Sequence, residues 1–184
     1  SPTQVGTATT WDKIRTGGSG QNVGGIKTDG TLWSWGYGTQ GELGHNNTSS
    51  KTDPTEVGTD TTWDDVAFTY EGSAIGLKTN GTLWTWGNNN NGRLGLNQAT
   101  SVKVSSPTQV GTDTNWSKIA GGHEGGAALK TDGTLWMWGD NEFGELGLNA
   151  AESSAKSSPT QIPGTRWTQV MGVMGLGPIG AMQG

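Results

Sequence analysis

A chain of 184 residues with no cysteine suits one ordinary domain and lacks the means for a disulfide, a thiolate–zinc site or a cysteine nucleophile. Its formal charge is −5, its 11 Lys and Arg are scattered rather than striped, and no apolar run approaches the roughly 18 residues of a membrane helix, so neither nucleic acid nor a membrane span is expected. With hydrophobic residues at only 30%, but 10 Trp and 33 Gly, the core must rest on tryptophan; each buried indole removes on the order of 200 Å² from water, worth several kcal/mol.

The elements follow one another by their punctuation. Pro2-Thr-Gln-Val-Gly6 reads as a strand, with Pro at the first position of an outer edge, and Trp11 to Ile14 as the next. Val23 to Lys27 is a run of small and aliphatic residues that ends in Thr28-Asp29-Gly30, where Asp-Gly predicts a two-residue type I′ hairpin with positive φ at both residues. Thr31 to Trp35 then forms a strand with Trp33 and Trp35 on one face and Leu32 on the other. Gly36-Tyr37-Gly38-Thr39-Gln40-Gly41 spells G-x-G-x-x-G, a dinucleotide-binding pattern that would require a helix to open at once. No helical pattern follows, and the sister segments keep only Gly87 with Gly92 and Gly139 with Gly144, so the match is a local accident.

The same order then recurs. Pro2, Pro54, Pro107 and Pro159 open equivalent segments 52, 53 and 52 residues apart, and the Trp that follows each stands at 11, 63, 116 and 167. Gly-Thr-Leu-Trp occurs three times, from Gly30, Gly81 and Gly133. The chain therefore reads as one repeat array with units at 2–53, 54–106, 107–158 and a partial unit at 159–184. Four short antiparallel strands per unit, apolar on both faces, predict the blades of an all-β propeller.

Trp116-Ser-Lys-Ile-Ala-Gly-Gly122, then Ala127 to Gly139 with Asp-Gly-Thr-Leu-Trp-Met-Trp-Gly, then Gly144-Glu-Leu-Gly147 resembles the blade signature of the regulator of chromosome condensation repeat family, and the likeness runs along essentially the whole chain. One departure is that the histidine usual eight residues before the hairpin glycine is here Asn22, Ser73 and Gly125. The resemblance implies a seven-bladed β-propeller, about twice what three and a half repeats supply. A partial propeller or open arc is expected: a segment of a longer protein, an arc closed by further copies or missing blades, or a product of processing.

No catalytic set stands out, and neither a cofactor nor a metal is expected. His45 and His123, read as exposed loop residues, have no repeated partners, and Asp140, Glu142 and Glu145 lack calcium-loop spacing. All ten tryptophans, Trp11, Trp33, Trp35, Trp63, Trp84, Trp86, Trp116, Trp136, Trp138 and Trp167, sit at repeat positions, which makes them scaffold rather than sugar-stacking platforms. Unit-to-unit variation falls in two loops, between the first and second strands and after the W-x-W-G strand, which emerge at one end of an up-and-down sheet. The candidate partner-binding residues are accordingly Tyr37, Gln40, His45, Tyr70, Glu71, Asn89, Asn90, His123, Glu124 and Phe143.

The function expected from the residues is a non-catalytic structural or recognition module that binds a protein or glycan. The regular Thr-, Asn- and Gly-rich style suggests a viral or phage surface protein, with the compartment otherwise open. The family resemblance implies the alternative, a regulator of a small GTPase or a chromatin-binding protein.

Overall fold

The structure, a computed structural model, describes residues 1–17, 19–98, 101–148, 154–172 and 179–184. The first sheet contains β1 (Trp11–Thr16), β2 (Asn22–Lys27), β3 (Leu32–Gly36) and β4 (Lys51–Glu56), and the second β5 (Trp63–Phe68), β6 (Ser73–Lys78), β7 (Leu83–Gly87) and β8 (Val104–Gln109). The third holds β9 (Trp116–Gly121), β10 (Gly125–Lys130), β11 (Leu135–Gly139) and β12 (Lys156–Ile162), and a fourth pairs β13 (Trp167–Met171) with β14 (Gly180–Gln183). Each four-stranded sheet is an antiparallel meander in sequence order, and none is closed. First strands of successive sheets pack on one another, β5 on both β1 and β9, and β9 on β13, so they line the inside of an arc. Four blades side by side, the last with two strands among the described residues, make a partial β-propeller.

Cohesion between blades comes from indoles pressed into spaces left by small residues. Trp86 and Trp138 are fully buried between sheets, and each donates its Nε1–H to the carbonyl of the preceding sheet: Trp86 to Glu42 O at 2.8 Å, Trp138 to Arg93 O at 3.0 Å. Small residues on the second strands make this possible. A Cβ on Gly76 would stand 2.5 Å from the Trp63 ring and 3.0 Å from that of Trp86. Aliphatic residues fill the remainder, with Ile26, Leu32, Val57 and Val66 in the first junction and Ile75, Leu77, Leu83 and Val110 in the second.

Two expectations are corrected. The Pro-bearing strands lie on the outer edge, since β4 pairs only with β3, but they begin earlier than Pro, so that Pro54 is the fourth residue of β4. An edge strand tolerates an absent N–H wherever that N–H would face solvent. Pro2 to Gly6, identical in sequence to Pro107 to Gly111, is exposed and forms no strand.

The hairpins are not type I′. Positive φ occurs at Gly30 (80°), Gly81 (75°) and Gly133 (79°), whereas Asp29, Asn80 and Asp132 are absent from the positive-φ residues. Lys27 donates to Thr31 O at 3.0 Å and Gly30 to Lys27 O at 2.8 Å, giving a three-residue loop with a left-handed glycine in third place. The Asp or Asn acts through its side chain instead. Asp29 Oδ1 accepts from the Thr31 N–H (3.0 Å) and hydroxyl (2.7 Å), and Thr31 Oγ1 in turn accepts from Trp33 Nε1 (2.8 Å). The relay repeats at Asn80–Thr82–Trp84 and Asp132–Thr134–Trp136.

This rim also joins blades. The carbonyls of Gly30, Gly81 and Gly133 each accept the N–H of the next first-strand Trp at 3.1 Å. A Cβ on Gly30 would collide with the Thr61 carbonyl, so close approach as well as φ requires glycine. Lys78 lies 3.7 Å from the Trp84 ring centre and 4.8 Å from that of Trp63, and its ammonium meets Asp60 at 2.6 Å. Lys130 repeats this with Trp136, Trp116 and Asp113, while in the first unit Ala8 stands at the aspartate position and Lys27 lies over Trp11 and Trp33. Burial works to raise the Asp60 carboxyl, but the hydrogen bonds from Lys78 and Thr62 outweigh it and hold it down at about 2. The sequence constancy of Val-Gly-Thr-Asp-Thr thus has a packing cause.

Candidate functional site

The β1–β2 and β3–β4 loops, with their counterparts in the next two sheets, emerge together at the opposite end of each meander. They are joined side to side. Gln40 of the first sheet lies against Gly72 of the second, 2.9 Å from where a Cβ would stand. In the second sheet, the Tyr70 and Glu71 N–H groups donate to Gly122 O (3.0 Å) and His123 O (3.3 Å) of the third. At the first boundary the Asn46 N–H donates to Ser105 O at 2.8 Å, so the loops form a belt whose backbone is hydrogen-bonded across both boundaries.

On this belt three aromatic side chains face outward, Tyr37 at 46%, Tyr70 at 37% and Phe143 at 85% exposure. Tyr70 stacks on His123 with ring centres 4.9 Å apart. His123 Nε2 lies 3.8 Å from Glu71 Oε1, and Glu124, half-buried, stands beside it. Tyr70, Glu71, His123 and Glu124 are therefore one cluster. Gln40 is half-buried with its N–H on Glu42 Oε2 (2.8 Å), and Asn90 is exposed.

Two candidates lie differently from expectation. Asn89 is buried at 0% exposure; its amide donates to Gln98 O (3.0 Å) and accepts from Leu94 N–H (3.2 Å), so the side chain holds its own loop closed. His45 is half-buried rather than a solvent-exposed loop histidine, with Nε2 3.0 Å from Ser34 Oγ, and burial pushes its pKa below the usual value. Asn22 and Ser73, which stand where a histidine is usual, are buried and donate to the Tyr37 and Asn88 carbonyls at 2.7 Å.

Arg93 was not among the sequence candidates. It is 2% exposed, donates from Nε to Asn90 O at 2.8 Å, and carries its guanidinium between Glu71 (3.8 Å) and Glu124 (3.6 Å) of adjacent blades. Burial works against its charge, and Glu124 and Glu71 work for it. Glu124 is raised above the ordinary carboxylate value by burial and by its hydrogen bond with Asp140. The signal was available: Gly-Glu-Leu-Gly at 41 and 144 becomes Gly-Arg-Leu-Gly at 92, a charge reversal at an otherwise acidic position. Its counterpart Glu42 is also buried, which raises its pKa. Among the described residues no group of three or more acidic or histidine side chains is disposed to hold a metal ion.

Comparison with known proteins agrees with this architecture. The chain is 32% identical over 126 residues to the Protein RCC2 homolog of Danio rerio, covering 68% of this chain and 26% of that protein. It is 29% identical over 139 residues to the ultraviolet-B receptor UVR8 of Arabidopsis thaliana, covering 74% and 31%. The chain thus spans about a third or less of the curated relatives it matches. The crystal structure of Prp20p from Saccharomyces cerevisiae, a protein described with its binding to Gsp1p and histones, superposes with a TM-score of 0.80 at 19% identity, over 94% of this chain and 43% of that one. These relatives give no support to a viral, adhesive or glycan-binding protein, and those expectations are withdrawn. The regulator of chromosome condensation (RCC1) repeat matches at residues 29–72, 80–129 and 132–173, one match across each hairpin and W-x-W-G strand, and the chain belongs to that repeat family.

Proposed function

We propose that this chain is a non-catalytic, protein-binding part of an RCC1-type propeller, and that the belt of joined loops is the surface that meets the partner. The observation that carries the reading is the fixing of three blades' loops by hydrogen bonds across their boundaries, with Tyr37, Tyr70 and Phe143 left facing solvent. A rigid frame lowers the ordering cost of association, and aromatic side chains supply large contact area with few rotatable bonds. The relatives favour a regulatory partner, and the binding of Prp20p to Gsp1p and histones makes a small GTPase or a chromatin protein the class to test first.

The experiment is a titration of the protein with a Gsp1p-type GTPase and with histones. Saturable binding to either, weakened at least tenfold by Tyr37→Ser, Tyr70→Ser and Phe143→Ser together, is the expected result. Binding that the triple variant leaves unchanged would move the surface elsewhere on the arc.

A further inference from the structure

The first two sheet junctions carry the same three-residue tie, Gly44-His45-Asn46 in the β3–β4 loop and Gly95-Leu96-Asn97 in the β7–β8 loop. The glycine seats an indole of the next sheet: a Cβ would stand 3.0 Å from Trp86 in one and 3.1 Å from Trp138 in the other. The asparagine, left-handed at φ 57° or 58°, donates its N–H to Ser105 O (2.8 Å) or Ser157 O (2.7 Å), and its Oδ1 accepts the hydroxyl of Ser106 (3.1 Å) or Ser158 (3.2 Å). The middle residue changes in kind. Leu96 packs on the core of the second junction and Leu148 keeps leucine in the third unit, where the first unit has His45.

The hydrogen bonds around His45 assign its tautomer. Ser34 donates its hydroxyl to Leu43 O at 2.6 Å, as Thr85 does to Leu94 O at 2.7 Å in the second sheet. Ser34 Oγ therefore meets the ring with a lone pair, and His45 Nε2, 3.0 Å away, carries the hydrogen. A second proton can go to Nδ1 alone and makes an imidazolium, a charge that the half-buried site does not suit. Burial opposes it first and Lys51 repels it; the Ser34 and Glu56 backbone favours it, and the balance lies below the ordinary value. Among the described residues no carboxylate forms an ion pair with His45, and the buried Glu42 carboxylate is taken up by the Gln40 N–H and the Asn22 amide. The fold thus favours the neutral ring, whose contribution is complete above about pH 6.5 and is lost as pH falls through the lowered value.

We propose that His45 makes the tie between the first and second sheets a pH-sensitive latch: with a neutral ring Asn46 holds Ser105 and Ser106, and with an imidazolium, which has no carboxylate to meet, the latch loosens and frees the β3–β4 loop that carries Tyr37 and Gln40. The Asn97 latch, built on Leu96, does not respond. Acid then alters one end of the loop belt and leaves the junction of the second and third sheets in place. The latch lies within the surface proposed above but does not depend on a partner, and its readout is backbone exchange rather than binding.

The test is amide hydrogen exchange, followed by NMR at Asn46 and Asn97 in the same sample at about pH 7.5 and about pH 5, with each rate corrected for the pH dependence of an unprotected amide. Protection at Asn46 should fall at least fivefold on acidification while that at Asn97 changes less than twofold. His45→Leu, which installs the residue of the sister units, should remove the response. Glu42 and Glu124, both raised above the ordinary carboxylate value, stand at the first and second junctions and remain in that variant, so a response at Asn46 that survives His45→Leu belongs to Glu42 and overturns the proposal. Ring-nitrogen shifts of His45 in the native chain check the tautomer without any substitution: an Nε2–H ring at about pH 7.5 that takes its second proton below about pH 6.5 is expected. An Nδ1–H ring, a ring already charged at neutral pH, or equal loss of protection at both asparagines would each overturn the proposal.

Discussion

The two rims of the arc are built from the same strands yet hold themselves by different means. At the hairpin rim every unit repeats one set of contacts: a carboxylate or amide on a threonine, the threonine on an indole, a lysine over two indoles, and a glycine carbonyl on the next blade's backbone. At the loop rim a repeated frame, with Trp86 and Trp138 on the Glu42 and Arg93 carbonyls and the Asn46 and Asn97 N–H groups on the Ser105 and Ser157 carbonyls, carries side-chain contacts that differ between junctions: Gln40 against Gly72 in the first and the Glu71–Arg93–Glu124 set in the second. Repetition marks residues whose job is packing between blades. Where that job passes to backbone hydrogen bonds, side chains are released to vary, and the outward-facing aromatics occur there.

Four probes test this division, from the largest effect downward. Trp86→Ala removes an indole that bridges the first two blades and leaves the Glu42 carbonyl unpaired, and should cost about 3–5 kcal/mol in chemical denaturation. Thr82→Ala breaks the middle of a relay, leaving the Trp84 N–H without its partner and the Asn80 amide oxygen with the residue-82 backbone N–H but no hydroxyl, and should cost about 1–2 kcal/mol. A cost near zero would mean that water replaces the hydroxyl and that the relay is not what keeps Thr-Asp/Asn-Gly-Thr constant.

Acid provides the third probe. The Asp60 carboxyl in the folded protein lies below its ordinary value of about 3.9. Its contribution is therefore complete above about pH 4 and is lost as pH falls toward 2. Unfolding midpoints measured across that window should fall more steeply for the native chain than for Asp60→Asn. Because the Asp60 side chain is 38% exposed, the difference is about 1 kcal/mol or less. Equal slopes would place the acid sensitivity in other carboxylates.

Much of the scaffold was legible because repetition averages away local ambiguity. Trp11, Trp63, Trp116 and Trp167 announce the first strands, and Asp-Gly or Asn-Gly marks each hairpin. The turn type was misread because Asp-Gly serves both two-residue and three-residue hairpins, and the choice is made by Thr31, Thr82 and Thr134, whose N–H and hydroxyl groups capture the preceding side chain. Within the candidate site, exposure of Tyr37, Tyr70 and Phe143 followed from their failure to recur. The burial of Asn89 did not, since Asn88, Asn89, Asn90 and Asn91 look alike in sequence and only the path of the loop decides which amide turns inward. Arg93 escaped because its carboxylate partners come from three different loops, at 71, 124 and 140.

The fourth probe, whose aromatic variant carries the smallest expected effect on stability, is also the most direct test of the central claim, that the hairpin rim holds the arc and the loop rim is free to bind. Two triple variants are unfolded side by side in denaturant: Tyr37→Ser, Tyr70→Ser and Phe143→Ser against Thr31→Ala, Thr82→Ala and Thr134→Ala. The aromatic set should lose about 1 kcal/mol or less, most of it from the Tyr70–His123 stack. The threonine set should lose several kcal/mol, about one or more for each relay broken. An aromatic variant that unfolds while the threonine variant keeps the native midpoint would contradict the account and reverse the roles of the two rims.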